Sequence, residues 1–479
     1  MERLSPLDAA FLAIEDEDPQ VSLAIASLAI VAGPAPSPEQ LAAAVAARLP
    51  RVPRYRQKIR RVPLDLGAPV WVDDDSFDPA AHVERLSVPQ PHDQAALCEL
   101  VASLMAERLD RDRPLWRFWV LDGLSGGRWA LLAKVHHCMA DGVSAAGLQQ
   151  LLFGETASTT QADPHPDPGA LRVLASSLAD LVTGPFAQAG ALACGLLHPR
   201  ALARRTTDVA RGFSTLAQAL MPVSPSSLGG PISGPCGYAI AQAELSGVTA
   251  IAEAFTTTVN DVLLAAITGG LREILLRHGE EPSADSVRSL VPVSVRLPGD
   301  PTLDNEVSLL LPLLPVDLPD PAQRLVQVHR RLLAHKEGKE ATAGRFMTAT
   351  AARGPFAPAA WAVRAGLRLP RRNVVTVTTN VPGPAETLAI AGHKVLALYP
   401  YVPIAVGLRT GIAMLTYRGR VFFGVTTDRA TVPDPRVLAD ATVADLTALK
   451  AAAVSSSRAR SSSPGSGSNR RSVPKPKRT

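Results

Sequence analysis

Short apolar runs alternate with stretches of helical period along most of the chain, which is the pattern of an α/β protein. Residues 21–32 (VSLAIASLAIVA) predict a strand. Ser37-Pro38-Glu39-Gln40 reads as a helix start, with Ser37 as cap, Pro38 at the first helical position and Gln40 closing a capping box. Leu41, Val45 and Leu49 recur on one face of that helix, and Pro50 and Pro53 end it. A second helix is predicted over 93–109, with Leu97, Leu100, Val101, Leu104 and Met105 on one stripe. Strands follow at 115–121 and 128–136, joined through a Gly-rich turn at 122–127. The run VSAAGLQQLLFG after Gly142 reads as a helix.

The pattern fades over 154–172, where Thr, Asp and Pro gather, and this predicts a linker. Residues 173–221 are Ala-rich and low in aromatics, which fits a helical crossover. A second α/β unit begins near 235, with a helix over 258–278 and strands at 286–296, 306–314, 373–380, 394–401, 410–418 and 420–427. Arg418-Gly419 has the chemistry of a tight hairpin turn between the last two. The linear division is then 1–153 for an N-terminal half, 154–225 for linker and crossover, 226–453 for a C-terminal half and 454–479 for a disordered basic tail.

The chain has 479 residues, too many for one ordinary core, so two domains are expected. The net charge is +5, but the tail alone holds Arg458, Arg460, Arg470, Arg471, Lys475, Lys477 and Arg478 with no acid. The body is near neutral, which argues against a nucleic-acid partner. Cys98, Cys138, Cys194 and Cys236 lie far apart, so neither a disulfide framework nor a zinc site is expected. The acidic start lacks a signal pattern, and no stretch reaches the roughly 18–20 apolar residues that span a bilayer. These features place the chain in the cytoplasm, with peripheral attachment to the inner face of the cell membrane as an option. Residues 341–372 carry six arginines and no acid, interleaved with Phe346, Phe356 and Trp361. Such a segment either lies on an anionic membrane or forms a packed helical pair with a solvated face.

The strongest chemical signal is Val135-His136-His137-Cys138-Met139-Ala140-Asp141-Gly142, where a strand runs out and a helix begins. Along an extended strand, His137 shares a face with Val135, Ala133 and Leu131, while His136 shares the other with Lys134 and Leu132. Adjacent histidines then point apart, which suits one catalytic and one structural imidazole better than a shared metal. A neutral imidazole in an apolar site accepts a proton near neutral pH. Asp141 either caps the next helix or braces the histidine loop, and Gly142 suits a crowded backbone position.

This HHxxxDG string resembles the active-site motif of the coenzyme A-dependent acyltransferase superfamily. Further segments narrow the resemblance to the bacterial wax ester synthase/diacylglycerol acyltransferase family: Leu4-Ser5-Pro6-Leu7-Asp8, Pro114-Leu115-Trp116, Thr258-Val259-Asn260-Asp261-Val262, Val291-Pro292-Val293-Ser294-Val295-Arg296 and Asn380-Val381-Pro382-Gly383-Pro384. They occur in order over about residues 1–450. The resemblance implies a two-domain fold of the chloramphenicol acetyltransferase type with a tunnel between the halves, and His137 as general base. One departure stands out: where the family often has an Asn before GPISGP and two arginines after it, this chain has Gly229, Cys236 and Gly237.

The implied reaction moves a long acyl group from acyl-CoA to a lipid hydroxyl. Diacylglycerol is the first choice of acceptor and a fatty alcohol the second. Acyl-CoA is a substrate, and no cofactor or metal is implied. Asn260 is a candidate oxyanion donor, while Thr258 and Asp261 also make a helix cap. Trp116 reads as core before substrate contact, and Asn380 as the holder of a turn. Pro114, Leu115, Asp261 and Asn380 stay as substrate-side candidates through the resemblance. His82, His198 and His329 stand alone in the sequence. A carrier-protein-dependent condensation enzyme, a non-catalytic lipid binder and, more distantly, a metal hydrolase are the competing classes.

Overall fold

The computed structural model describes residues 2–139, 223–294, 307–337 and 374–462, except Ala385 and Val406, with a few single positions between, among them Ser176, Trp361 and Arg364. Asp141, Gly142, Cys194, His198, the predicted helix after Gly142 and nearly all of the predicted linker and crossover lie outside the described residues.

Helices among the described residues are α1 (Pro6–Glu17), α2 (Pro38–Ala46), α3 (Gln94–Ala106), α4 (Leu245–Phe255), α5 (Val259–Arg277), α6 (Pro321–Glu337) and α7 (Pro435–Ser462). Strands are β1 (Glu2–Arg3), β2 (Ala24–Ala32), β3 (Gln57–Arg60), β4 (Val70–Asp73), β5 (Val83–Ser87), β6 (Trp116–Leu124), β7 (Arg128–His136), β8 (Cys236–Glu244), β9 (Ser289–Ser294), β10 (Val307–Leu310), β11 (Thr376–Val381), β12 (Ala389–Ile390), β13 (His393–Tyr401), β14 (Thr410–Tyr417) and β15 (Arg420–Asp428). They build a sheet β12-β13-β2-β7-β6-β5, a sheet β10-β9-β11-β14-β15-β8 and a small sheet β1-β4-β3.

Local chemistry explains most of these elements. The capping box at Ser37 and Gln40 forms as the sequence predicts, and so does one at Thr258 with Asp261. The β14–β15 turn carries positive φ at Arg418 and Gly419, as a two-residue hairpin requires. α1 is a helix that hydrophobic periodicity did not single out. Ser5 caps it by accepting the Asp8 N–H at 3.1 Å, and Pro6 sits in its first turn. The predicted strand over 21–32 begins only at Ala24, because the Leu23 N–H and C=O are spent on Glu15 and His137 instead of the sheet. The predicted helix over 93–109 stops at Ala106. There the buried Lys134 ammonium donates to the Leu104 carbonyl at 2.8 Å and also to that of Glu107, closing the helix end. Burial pushes that ammonium down to about 8.

Two predictions are corrected. The stretch from 454 is not disordered at its start, since α7 runs on to Ser462. Ala451–Ala453 favour continuation, and the Ser455 hydroxyl donates back to the Ala451 carbonyl at 3.1 Å. The linear split into halves is also crossed: β13 pairs antiparallel with β2, from Val395 opposite Val31 to Tyr401 opposite Ala26. Residues from the C-terminal half thus complete the N-terminal sheet. Their apolar side chains Val395, Leu398 and Tyr399 join its core.

Each large sheet has its own core. The first gathers around Trp116, Phe118, Trp119 and Trp129, and the second around α5, which is buried on nearly all sides between α4, α6 and α7. Where β13 crosses the second sheet, its Pro400 carbonyl accepts from Tyr238 Oη at 2.9 Å and lies against Gly424. A Cβ on Gly424 would fall on that carbonyl oxygen, so the backbone itself must move to admit one. Gly424→Ala is expected to cost about 3 kcal/mol or more, or to prevent folding. Thermal denaturation of the purified variant measures this, and an unchanged melting temperature would contradict the close crossing.

Candidate active site

β7 delivers the histidine pair to its end, and a 3-10 turn over His137–Met139 takes over. Pairing with β6 fixes the register, with Trp116 opposite Val135, and the His136 N–H donates to the Leu115 carbonyl at 2.9 Å. Pro114-Leu115-Trp116 therefore supports the site through the main chain. Leu115 and Trp116 are buried, and Trp116 Nε1 donates to the Tyr55 carbonyl at 2.8 Å. Its ring stacks on His82 at 4.4 Å between centroids, and His82 Nδ1 lies 2.8 Å from the Trp116 carbonyl. Trp116 is core, and His82 is its partner, not a lone histidine.

The strand ends at His136, so the strict strand alternation does not reach His137, and the two histidines instead take different partners on the same helix α1. His136 is buried, and its Nδ1 accepts the Cys138 N–H at 3.2 Å. A neutral ring then carries its proton on Nε2, which faces Glu15 Oε1 at 3.3 Å. Glu15 is buried with it and also accepts from the Leu23 N–H at 2.6 Å and from Arg111 at 2.7 Å. Burial alone would raise this carboxyl. The facing His136, Arg111 and the Leu23 amide outweigh it and hold Glu15 at about 2.

His137 is half-buried and opens the 3-10 turn. Its N–H donates to the Leu23 carbonyl at 3.0 Å, and its ring stacks on Phe11 at 4.1 Å and 30°. Burial pushes its imidazole down to about 4, so the ring is neutral at physiological pH with a lone pair to offer. The Cys138 thiol beside it is buried and held well above its ordinary range, hence protonated and a poor nucleophile.

One helix thus reads out the whole turn. Phe11 and Glu15, four residues apart on α1, meet His137 and His136 in order. Sequence reasoning missed Phe11, Glu15 and Arg111. The available signal was an acid at helical spacing within an otherwise apolar face, following a Ser-Pro helix start.

In the second half, Asn380 Nδ2 donates to Asn260 Oδ1 at 3.4 Å, so two separate sequence candidates meet. Asp261 instead serves the cap: its Oδ2 accepts the Thr258 N–H at 2.9 Å and lies 2.7 Å from His329 Nδ1. His329 is therefore partnered, contrary to its isolation in the sequence. The departures near GPISGP are accommodated by their neighbours. A Cβ at Gly229 would lie 2.8 Å from Val375 Cγ1, and one at Gly237 would lie 3.0 Å from Thr427 Oγ1. The segment between is held by Asp428, which accepts from the Ser233 N–H at 2.9 Å, and by Arg409, whose Nε donates to the Pro231 carbonyl at 3.0 Å. Ile232 packs with Val21, Leu23 and Ala405 beside Phe11, so this segment borders the histidine turn across the two halves.

Residues 4–263 match the wax ester synthase/diacylglycerol acyltransferase catalytic domain, and residues 303–450 match the C-terminal domain of the same group. The chain belongs to the wax ester synthase/diacylglycerol acyltransferase family. It is an acyltransferase of that family, in agreement with the resemblance seen in its motifs. A Mycobacterium bovis protein named as a diacylglycerol O-acyltransferase is 45% identical over 440 residues, covering 92% of this chain and 94% of that one. A second such protein, from Mycobacterium tuberculosis, is 33% identical over 429 residues, covering 89% and 86%. Among solved structures, the wax ester synthase/diacylglycerol acyltransferase of Marinobacter aquaeolei superposes with a TM-score of 0.63 at 24% identity, covering 94% of this chain and all of that one. The starter condensation domain of rhizomide synthetase, solved with C8-CoA, gives 0.56 at 16% identity, covering 95% and 94%. At those identities the likeness is one of fold: the two-domain chloramphenicol acetyltransferase type that the motifs implied.

Proposed function

We propose that this chain transfers a long acyl group from acyl-CoA to the hydroxyl of diacylglycerol, forming triacylglycerol, with His137 as general base. The observation that carries the reading is the neutral, half-buried His137 imidazole, held at the end of β7 with its proton affinity lowered by burial. The 45% identical relative named as a diacylglycerol acyltransferase supports the choice of acceptor.

In the step proposed, His137 takes the hydroxyl proton as the oxygen attacks the thioester carbonyl. The new C–O bond forms, a tetrahedral oxyanion develops, and the C–S bond then breaks. His137-H⁺ returns the proton to the departing thiolate, so the products are ester and free CoA. General-base catalysis of this kind contributes roughly 10²–10⁴-fold. Asn260, with Asn380 on its Oδ1, has its Nδ2 left to donate to the oxyanion. Acyl-CoA enters as a substrate, and no separate cofactor is invoked.

Among the described residues no single helix is long and apolar enough to cross a membrane. Both substrates carry greasy chains, which fits a site supplied from a membrane or lipid-droplet surface. Support for a membrane-facing side comes from the arginine-rich residues 341–372, where Trp361 is 52% exposed. Arg364 is used otherwise, in ion pairs to Asp16 and to Asp65.

The test offers purified protein long-chain acyl-CoA with either diacylglycerol or hexadecanol, and follows thiol release and ester product. Triacylglycerol formation in excess of wax ester is the expected result. Ester from hexadecanol alone would reassign the acceptor, and ester from neither would overturn the reading.

A further inference from the structure

We infer that Phe11 is a positioning residue for His137: it fixes the plane of the imidazole by stacking and shields that ring from water. The inference rests on His137 being the base, and it goes beyond that reading by assigning the control of the base to a side chain on α1.

Three observations lead here. The rings lie 4.1 Å apart at 30°, close to an offset stack, so rotation of the His137 side chain is blocked on that face. The main chain on the opposite side is fixed as well, since the His137 N–H is bound to Leu23 at 3.0 Å. Phe11 is itself a rigid support. α1 is pinned at its start by the Ser5 cap and near its end by Glu15, which grips the Leu23 N–H and Arg111. The α1 backbone that carries Phe11 cannot withdraw without breaking one of these ties.

The surroundings explain why an aromatic ring belongs there. Phe11, with Ile14 and Ile232, packs against a small buried cluster of Val21, Leu23 and Ala405, contributed by both halves of the molecule. Among the described residues, the charged and titratable groups near the turn are His136 on β7, the Cys138 thiol in the turn, Asp8 and Glu15 on α1, Arg111 on the segment before β6, and Arg54 before β3. Glu15, Arg111 and His136 are engaged with each other, and Asp8 is bound by the Ser5 hydroxyl at 2.6 Å. The side of His137 that Phe11 covers is a phenyl ring backed by apolar residues, and burial of the imidazole as a whole disfavours its charged form. Removing the phenyl ring opens that side to water and frees χ2 of the histidine.

The experiment compares the full-length protein with Phe11→Ala and Phe11→Leu. Two quantities are read: the pH profile of kcat/KM, and the titration of the His137 ring by NMR on histidine-labelled protein, assigned with His137→Gln. Phe11→Ala is expected to move the acid limb and the ring titration upward by about one pH unit or more, toward ordinary imidazole, and to lower kcat about tenfold with a smaller change in KM. Phe11→Leu keeps bulk but not the flat stack. It should shift the titration less than alanine does while still lowering kcat, and it stays informative if the alanine variant does not fold. A titration and kcat unchanged in both variants, or a fall in melting temperature alone, would overturn the inference. The NMR titration needs no turnover, so it separates the two claims. A shifted ring titration together with full turnover in His137→Ala would support the stack and sink the base.

Discussion

His137→Ala lowers turnover by about 10²-fold or more while the fold is retained. The loss follows from removing the group proposed to hold the proton between hydroxyl and thiolate. Retention of the fold follows from the geometry. The His137 side chain is half-buried, its ring stacks on Phe11, and the hydrogen bond that shapes the turn runs from its backbone N–H to Leu23. His136→Ala is the contrasting control, because its ring is buried against Glu15 and Cys138 and its removal leaves polar groups unpaired in the core. The pair of variants should therefore differ in kind: one stable and inactive, the other unstable. Circular dichroism melts beside steady-state rates would show it. A stable His137→Ala enzyme with more than a tenth of parental kcat would remove His137 from the mechanism.

The second large effect lies one turn along α1. Glu15→Gln keeps the shape of the side chain but removes the charge that Arg111 and the Leu23 N–H are built around. Breaking a buried ion pair of this kind costs roughly 3 kcal/mol, less whatever solvent recovers at the partly exposed Arg111. The pH dependence has a definite sign. The carboxyl falls from 4.5 to about 2 on folding. Its contribution to stability is fully present above 4.5, shrinks below that, and is lost as the pH falls through about 2. Parent and variant should thus differ in denaturant midpoint by a constant amount at pH 5 to 8, and the two curves should converge toward pH 2. A gap that stays constant down to pH 2 would mean that the carboxylate charge is not what stabilises the turn. Because Leu23 also receives the His137 N–H, turnover should fall in the same variant even where it remains folded.

These two residues mark the line between what a sequence reading reaches and what it does not. The HHxxxDG string that nominates His137 was legible because its signal is local. The capping boxes at Ser37 and Thr258, the β14–β15 turn and strand β7 were legible for the same reason, since the residues that define each lie within a few positions of one another. The family motifs are equally local strings.

Glu15 was not legible, because its meaning depends on His136 and Arg111, which stand about a hundred residues away along the chain. Periodicity records which face of a helix is apolar, not what that face meets. The same limit hid the tie from His329 to Asp261, the meeting of Asn260 with Asn380, and the insertion of β13 beside β2. Sequence by itself determined most of the elements, because short-range sterics and hydrogen bonding decide those, and its motifs determined the reaction class through their likeness to the family; His137 as base is the proposal that those motifs support. The tertiary structure alone decided which side chains surround His137 and hold it neutral, because burial and pairing between distant segments exist only once the chain has packed.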